Sequence, residues 1–195
     1  MSEPRPQVVV IAGPNGAGKT TLAPFLLRDE LGLSEFVNAD DIARGLSAFN
    51  PQGATAQAGR IMLRRLRDLA DARRSFAFET TLATRSYAAF LKRLKQKGYD
   101  FHLFFMWLRS PDLAVERVRE RVRLGGHDVP EHIVRRRYVR AARNFFHLYR
   151  SLADSWVVYD NSVSGSPVRV AAGHGASALK VHDEGLWQRL SEVAK

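Results

Sequence analysis

Gly13-Pro14-Asn15-Gly16-Ala17-Gly18-Lys19-Thr20 is the stretch on which the fold of this chain turns. It fits the P-loop pattern G-x-x-x-x-G-K-[ST]. Val8-Val9-Val10-Ile11-Ala12 before it reads as a short buried strand, and Lys19 to Arg28 behind it reads as a helix. Strand, glycine-rich turn and helix is the context the motif needs. Glycines let backbone N–H groups close around phosphate oxygens, and the helix N-terminus adds partial positive charge. Gly13 to Thr21 are therefore the candidate nucleotide-binding residues, with Lys19 on the terminal phosphates of ATP or GTP and the Thr20 hydroxyl on Mg²⁺.

Outward from this motif the chain alternates strands and helices. Strands are expected near 7–12, at Phe36–Asp40, at Ser75–Thr80, at Phe101–Leu108 and at Trp156–Asp160. Helices are expected over about Ala54–Arg73, Ser86–Lys97 with Gly98 as its stop, Pro111 to Gly125-Gly126, and about Pro130–Leu152. Residues 44–53 carry Gly45, Asn50, Pro51 and Gly53 and read as a loop. Val168 to Val181 suggests a β-hairpin, and Glu184 to Val193 a last helix. This pattern predicts one α/β domain over residues 1–195: a P-loop NTPase-type, three-layer parallel sheet with helices on both faces. Ligands of such sheets bind beyond the carboxyl ends of the strands. The P-loop, Asp40 and Glu79 should then converge on one crevice.

Composition narrows the class. The 195 residues include no cysteine, which excludes disulfides and thiolate metal sites and fits a reducing, cytoplasmic setting. No apolar run suggests a membrane span. Met1 to Gln7 is polar, and the apolar run behind it is short and ends in the P-loop, so no signal peptide is expected. The formal charge is +10. Between Arg109 and Arg150 stand eleven arginines and no lysine against five acids. An all-arginine cluster suits bidentate recognition of phosphate. A solvated helix face is the plainer alternative.

Phosphoryl transfer requires held phosphates, a placed metal, an aimed acceptor and neutralised charge. Asp40, read at the end of a strand neighbouring the first, is the candidate base for an acceptor hydroxyl; its alternative role is a helix cap. Asp41 is read as capping a helix from Ile42. Glu79 could hold a metal-bound water or a substrate hydroxyl, its alternative being a pair with an arginine. Thr80, Thr81 and Arg85 follow and could line an acceptor site. The helices flanking Gly125-Gly126, residues 111–150, read as an arginine-rich lid with a hinge. Arg117 and Arg121 share one face of its first helix, while Arg119 and Arg123 fall beside Glu116 and Glu120 for local pairing. Arg136, Arg140 and Arg143 share an arc of its second helix. Arg137 lies nearer the apolar side of Ile133, Ala141 and Phe145 and needs a partner, a phosphate or Glu79. His127 reads as a loop hydrogen-bonding residue, Asp128 as a helix cap, and Asp160-Asn161 as an edge that could face a base.

Four segments together resemble the zeta-toxin family, small P-loop kinases of bacterial toxin–antitoxin systems: Gly13–Thr21, Asn38-Ala39-Asp40-Asp41, Phe78-Glu79-Thr80-Thr81, and Arg121 through Gly125-Gly126-His127-Asp128-Val129-Pro130 to Tyr138. The likeness covers most of residues 7 to 161. It implies an ATP- or GTP-dependent kinase whose acceptor is a nucleotide-linked sugar such as UDP-N-acetylglucosamine. It also implies an antitoxin as protein partner. The family's lysine matches Lys19, its base Asp40, its glutamate Glu79, and its lid arginines match among Arg121, Arg136 and Arg137. The chain is shorter than the larger toxins and reads Asn-Ala-Asp-Asp where they carry Asp-x-Asp, so the acceptor side is the less specified. A nucleoside or nucleic-acid kinase, a non-catalytic nucleic-acid-binding P-loop protein and an NTPase switch are the competing readings; nucleic acid is not the favoured partner.

Overall fold

A computed structural model describes residues 5–163 and 165–195; the first four residues of the polar N-terminal stretch lie outside it. One seven-stranded sheet runs in the order β2-β3-β1-β4-β5-β6-β7. Its strands are β1 (Gln7–Ala12), β2 (Phe36–Val37), β3 (Phe76–Thr80), β4 (Asp100–Trp107), β5 (Ser155–Asp160), β6 (Val168–His174) and β7 (Ser177–Val181). The first five pair in parallel. The expected C-terminal hairpin is present, and it is not a separate unit: β6 joins β5 antiparallel and extends the same sheet.

The helices are α1 (Lys19–Pro24), α2 (Ala39–Leu46), α3 (Thr55–Asp71), α4 (Ser86–Gln96), α5 (Pro111–Arg123), α6 (Glu131–Asn144) and α7 (Glu184–Val193). Single π-turns continue α1 over Phe25–Glu30 and α6 over Phe145–Tyr149. Alternate side chains of β1 go to opposite faces, which is why its apolar run is unbroken. Val9 and Ile11 pack with Ala23, Leu26 and Leu27 of the α1 segment. Val8 and Val10 belong to the main core with residues of α3, α4, α6 and α7. Helices thus lie on both faces, unevenly. Among the described residues no helix is long and apolar enough to cross a membrane.

Four local expectations need correction. The second strand stops at Val37, and Asp40 lies in the first turn of α2, not at a strand end. That strand is the sheet edge; β3, not β2, neighbours β1. Asn38, not Asp41, caps α2, its side chain accepting from the Asp40 N–H, and α2 runs on to Leu46 inside the expected loop. An asparagine in extended backbone just before a helical turn starts the helix early. Finally, α6 begins after Pro130 with no side-chain cap, so Asp128 does not serve as one.

Candidate active site

Beyond the C-terminal end of β1 the chain turns sharply at Gly13, whose φ is +143° and whose N–H donates to the Thr80 carbonyl at 3.2 Å. A Cβ there would stand 2.1 Å from the Met106 carbonyl oxygen of β4, so only glycine passes. The loop is pinned on its far side by Asn161, whose side-chain amide donates to the Ala17 carbonyl at 3.0 Å. Lys19 is buried, and its Nζ donates to the Pro14 carbonyl at 3.0 Å within the loop it closes. Its charge partner is Glu79 Oε1 at 3.6 Å. Burial pulls the Lys19 ammonium below the ordinary lysine range, Arg121 adding to that and Glu79 and Asp40 opposing it.

Glu79 ties three segments together. Its Oε2 accepts from Thr20 Oγ1 at 2.8 Å and from Asn38 Nδ2 at 3.1 Å. Asn38 Oδ1 in turn accepts from the Asp40 N–H at 2.8 Å, fixing the start of α2 beside the P-loop. The alternative for Glu79, a pair with an arginine, is not made among the described residues; its cation is Lys19. A hydroxyl with a carboxylate against it is the donor set that suits Mg²⁺ and its waters.

Two cavities flank this junction. One, of about 300 Å³, is lined by Asn15, Lys19, Asp40, Glu79, Thr80, Thr81, Arg121, His127 and Arg137, together with Thr84, Ser86, Tyr87 and Met62. The other, of about 580 Å³, is lined by Gly16, Gly18, Thr21, Phe25, Arg117, Leu124 and Asn161, and again by Arg121. Among the described residues Arg121 is the one common to both linings. Arg137 reaches the P-loop, donating from Nη1 to Asn15 Oδ1 at 3.3 Å. Burial lowers its pKa and neighbouring Arg136 adds to that, while Asp40 raises it.

The structure therefore brings together Lys19, Asp40, Glu79, Thr80, Arg121 and Arg137. It does not bring in Arg136, which is exposed and lines neither cavity, nor Arg85, whose exposed side chain leaves its neighbours Thr84 and Ser86 to form the wall. Thr21 lies on the second cavity, as does Asn161, whereas buried Asp160 turns to Arg109 at 2.8 Å. Arg119 pairs with Glu131 from α5 to α6 at 2.6 Å and not within its own helix. Arg135 binds Glu131 and Asp112. Arg150 lies over the Phe146 and Trp156 rings at 5.1 and 5.7 Å. Much of the arginine cluster is thus engaged internally. Sequence reasoning missed Asn38, Thr84 and Tyr87. Only Asn38 left a signal, as a helix-capping residue type before two acids.

The zeta toxin family model matches residues 1–165. An uncharacterized protein of Haemophilus influenzae is 29% identical over 132 residues, 68% of this chain and 92% of that one. Among solved structures, a chain of the AvrRxo1-ORF1:AvrRxo1-ORF2 complex with ATP superposes with a TM-score of 0.73 at 17% identity, over 97% of this chain. The match spans 64% of that longer chain. The PezAT chromosomal toxin–antitoxin system of Streptococcus pneumoniae matches with a TM-score of 0.64 at 17% identity, over 100% of this chain and 90% of that one. At such identities the likeness speaks for the fold, while the family match extends over most of the sequence. The chain belongs to the zeta-toxin family and is built as a P-loop kinase.

Proposed function

We propose that the protein is an ATP-dependent kinase that transfers the γ-phosphoryl group to a hydroxyl of a small-molecule acceptor. One observation carries this reading: Lys19, Asp40, Glu79, Arg121 and Arg137 line a single cavity at the mouth of the P-loop. The triphosphate would lie along Gly13 to Thr21, its terminal group at Lys19. There it adds its negative charge to that of Glu79 beside the buried ammonium. Thr20 and Glu79 would hold Mg²⁺, which when bound neutralises charge on the phosphate oxygens.

In the transfer the acceptor oxygen forms a bond to the γ-phosphorus as the bond to the β,γ-bridging oxygen breaks. ADP leaves, and the hydroxyl proton passes to the Asp40 carboxylate. Arg121 and Arg137 offset charge on the moving group, each worth several kcal/mol when properly aimed. The hydroxyl- and amide-rich wall of Thr80, Thr81, Thr84, Ser86 and Asn38 suits an acceptor bearing several hydroxyls. UDP-N-acetylglucosamine is the acceptor that the family resemblance suggests. Family membership also supports an antitoxin as a protein partner, and ATP dependence supports action in the cytoplasm.

The test is a mass-spectrometric acceptor screen with ATP and Mg²⁺ over UDP-sugars, nucleosides, polyols and short RNA ends. One compound class should gain a single phosphate with wild-type protein and none with Lys19→Ala. Transfer that survives Lys19→Ala, or ATP consumption with no phosphorylated product in any class, would refute the reading.

A further inference from the structure

The lid turn carries an arrangement that its role as a hinge does not require. Helix α5 ends in a two-bond cap: the Gly125 N–H donates to the Val122 carbonyl at 2.9 Å, and the Gly126 N–H reaches back to the Arg121 carbonyl at 2.9 Å. Gly125 takes the left-handed conformation this cap needs, with φ +80°. Nothing in that scheme requires glycine at the next position, where an apolar side chain commonly packs back on the helix. Here the place of that side chain is taken by the stem of Arg121. A Cβ on Gly126 would stand 2.5 Å from Arg121 Cγ, 3.3 Å from Cδ and 2.9 Å from the Arg121 carbonyl oxygen. The guanidinium emerging from under the turn donates from Nη2 to the His127 carbonyl at 2.6 Å. Its Nε is buried and has no partner among the described residues. A buried donor left free at the meeting of two cavities costs stability unless a ligand oxygen meets it.

We infer that Gly126 is a positioning residue: its missing side chain, with the His127 carbonyl, folds Arg121 beneath the lid turn and aims its guanidinium at the group in transfer. Gly125 has the distinct job of ending the helix, since a Cβ there meets nothing within 4 Å. The two adjacent glycines therefore separate in their effects. The inference rests on the reading of Arg121 as a phosphoryl-contacting group, and the experiment distinguishes the two.

The probes are ADP and ADP with aluminium tetrafluoride, both with Mg²⁺, which compare ground-state and transition-state-like binding without needing the acceptor. Affinities are measured calorimetrically for wild type, Gly126→Ala, Gly125→Ala, Arg121→Ala and the Gly126→Ala/Arg121→Ala double variant. Gly126→Ala should weaken the fluoride complex at least tenfold, the worth of about one charge-assisted hydrogen bond, and leave ADP within about twofold. Gly125→Ala should lower the melting temperature and leave the ratio of the two affinities within about threefold. In the Arg121→Ala background the Gly126→Ala change should leave the ratio of the two affinities unchanged, because Cγ and Cδ are gone; the contact at 2.9 Å with the Arg121 carbonyl oxygen remains and should lower only the melting temperature. A loss of equal size in both backgrounds, or none in either, would overturn the inference. Wild-type fluoride affinity in Arg121→Ala would instead bring down the reading beneath it. In the unmodified protein, the Arg121 Nε–H resonance should exchange slowly with solvent; free-arginine exchange would also overturn the inference, whether or not the variants fold.

Discussion

Replacing Glu79 with glutamine separates charge from shape at the centre of the site. The glutamine oxygen can take the place of Oε2 and keep the bonds from Thr20 and Asn38. Its NH₂ then faces the Lys19 ammonium, where the parent has a carboxylate oxygen at 3.6 Å. Both side chains are largely withdrawn from water, at 6% and 12% exposure. Two charges under 4 Å apart attract by about 4 kcal/mol at an effective dielectric near 20. Removing one partner of such a pair typically costs about 3–5 kcal/mol. Lys19 keeps the Pro14 carbonyl and can release its proton, so a loss of about 3 kcal/mol is expected for the ligand-free protein. Urea unfolding should show a lower midpoint at unchanged slope. ATP in the presence of a chelator should then stabilise Glu79→Gln more than the parent. The phosphates restore the missing counter-charge to Lys19 and no longer meet a carboxylate. With Mg²⁺ the order should reverse, because the parent retains the acid that would hold metal-bound water. Equal stability of the two ligand-free proteins within about 0.5 kcal/mol would refute the idea that this pair anchors the empty site.

Three further outcomes are expected. Asp40→Asn should lower transfer to acceptor by about 10²-fold or more while ATP affinity by calorimetry stays within a few-fold; transfer at the parent rate would remove Asp40 as base. Arg137→Ala should reduce kcat at least tenfold, and Arg136→Ala by less than threefold, since only the former touches the P-loop; similar small losses from both would support a solvated lid face. His102 is pushed below its ordinary pKa by burial, against the pull of Asp100 and Asp154 and with His174 adding to it. The unfolded chain then binds more protons, so stability should rise with pH up to about 6.5 and fall as pH drops towards the folded-state value. His102→Gln should flatten that slope in urea titrations between pH 5 and 7.5.

How far the sequence could be read depended on whether a feature was local. The P-loop, β4 and the C-terminal hairpin announce themselves within a few residues: a motif with its flanks, an unbroken apolar run, and strand-forming residues about a short turn. Their bounds came within a few residues of those observed. Strand order is a different kind of fact. Whether β2 or β3 lies against β1 is settled by which crossover packs on which face, and no window of the chain records it. Asp40 shows how a reading can miss the element and still find the place. Asn38 turns the chain into a helix two residues before the acid, yet the same asparagine ties that turn to Glu79, so the carboxylate arrives at the cavity by another route. The arginines make the complementary point. Helical spacing grouped Arg136, Arg140 and Arg143 on one arc, and that arc faces away from the main core. The stripe that α6 buries, Val134, Tyr138, Ala141 and Phe145, carries Arg137 along its flank towards the P-loop. A charged residue on the edge of an apolar stripe is costly to hold unless something polar waits for it. In a chain whose nearest fixed acceptor is the P-loop itself, that position marked the arginine more reliably than the density of positive charge around it.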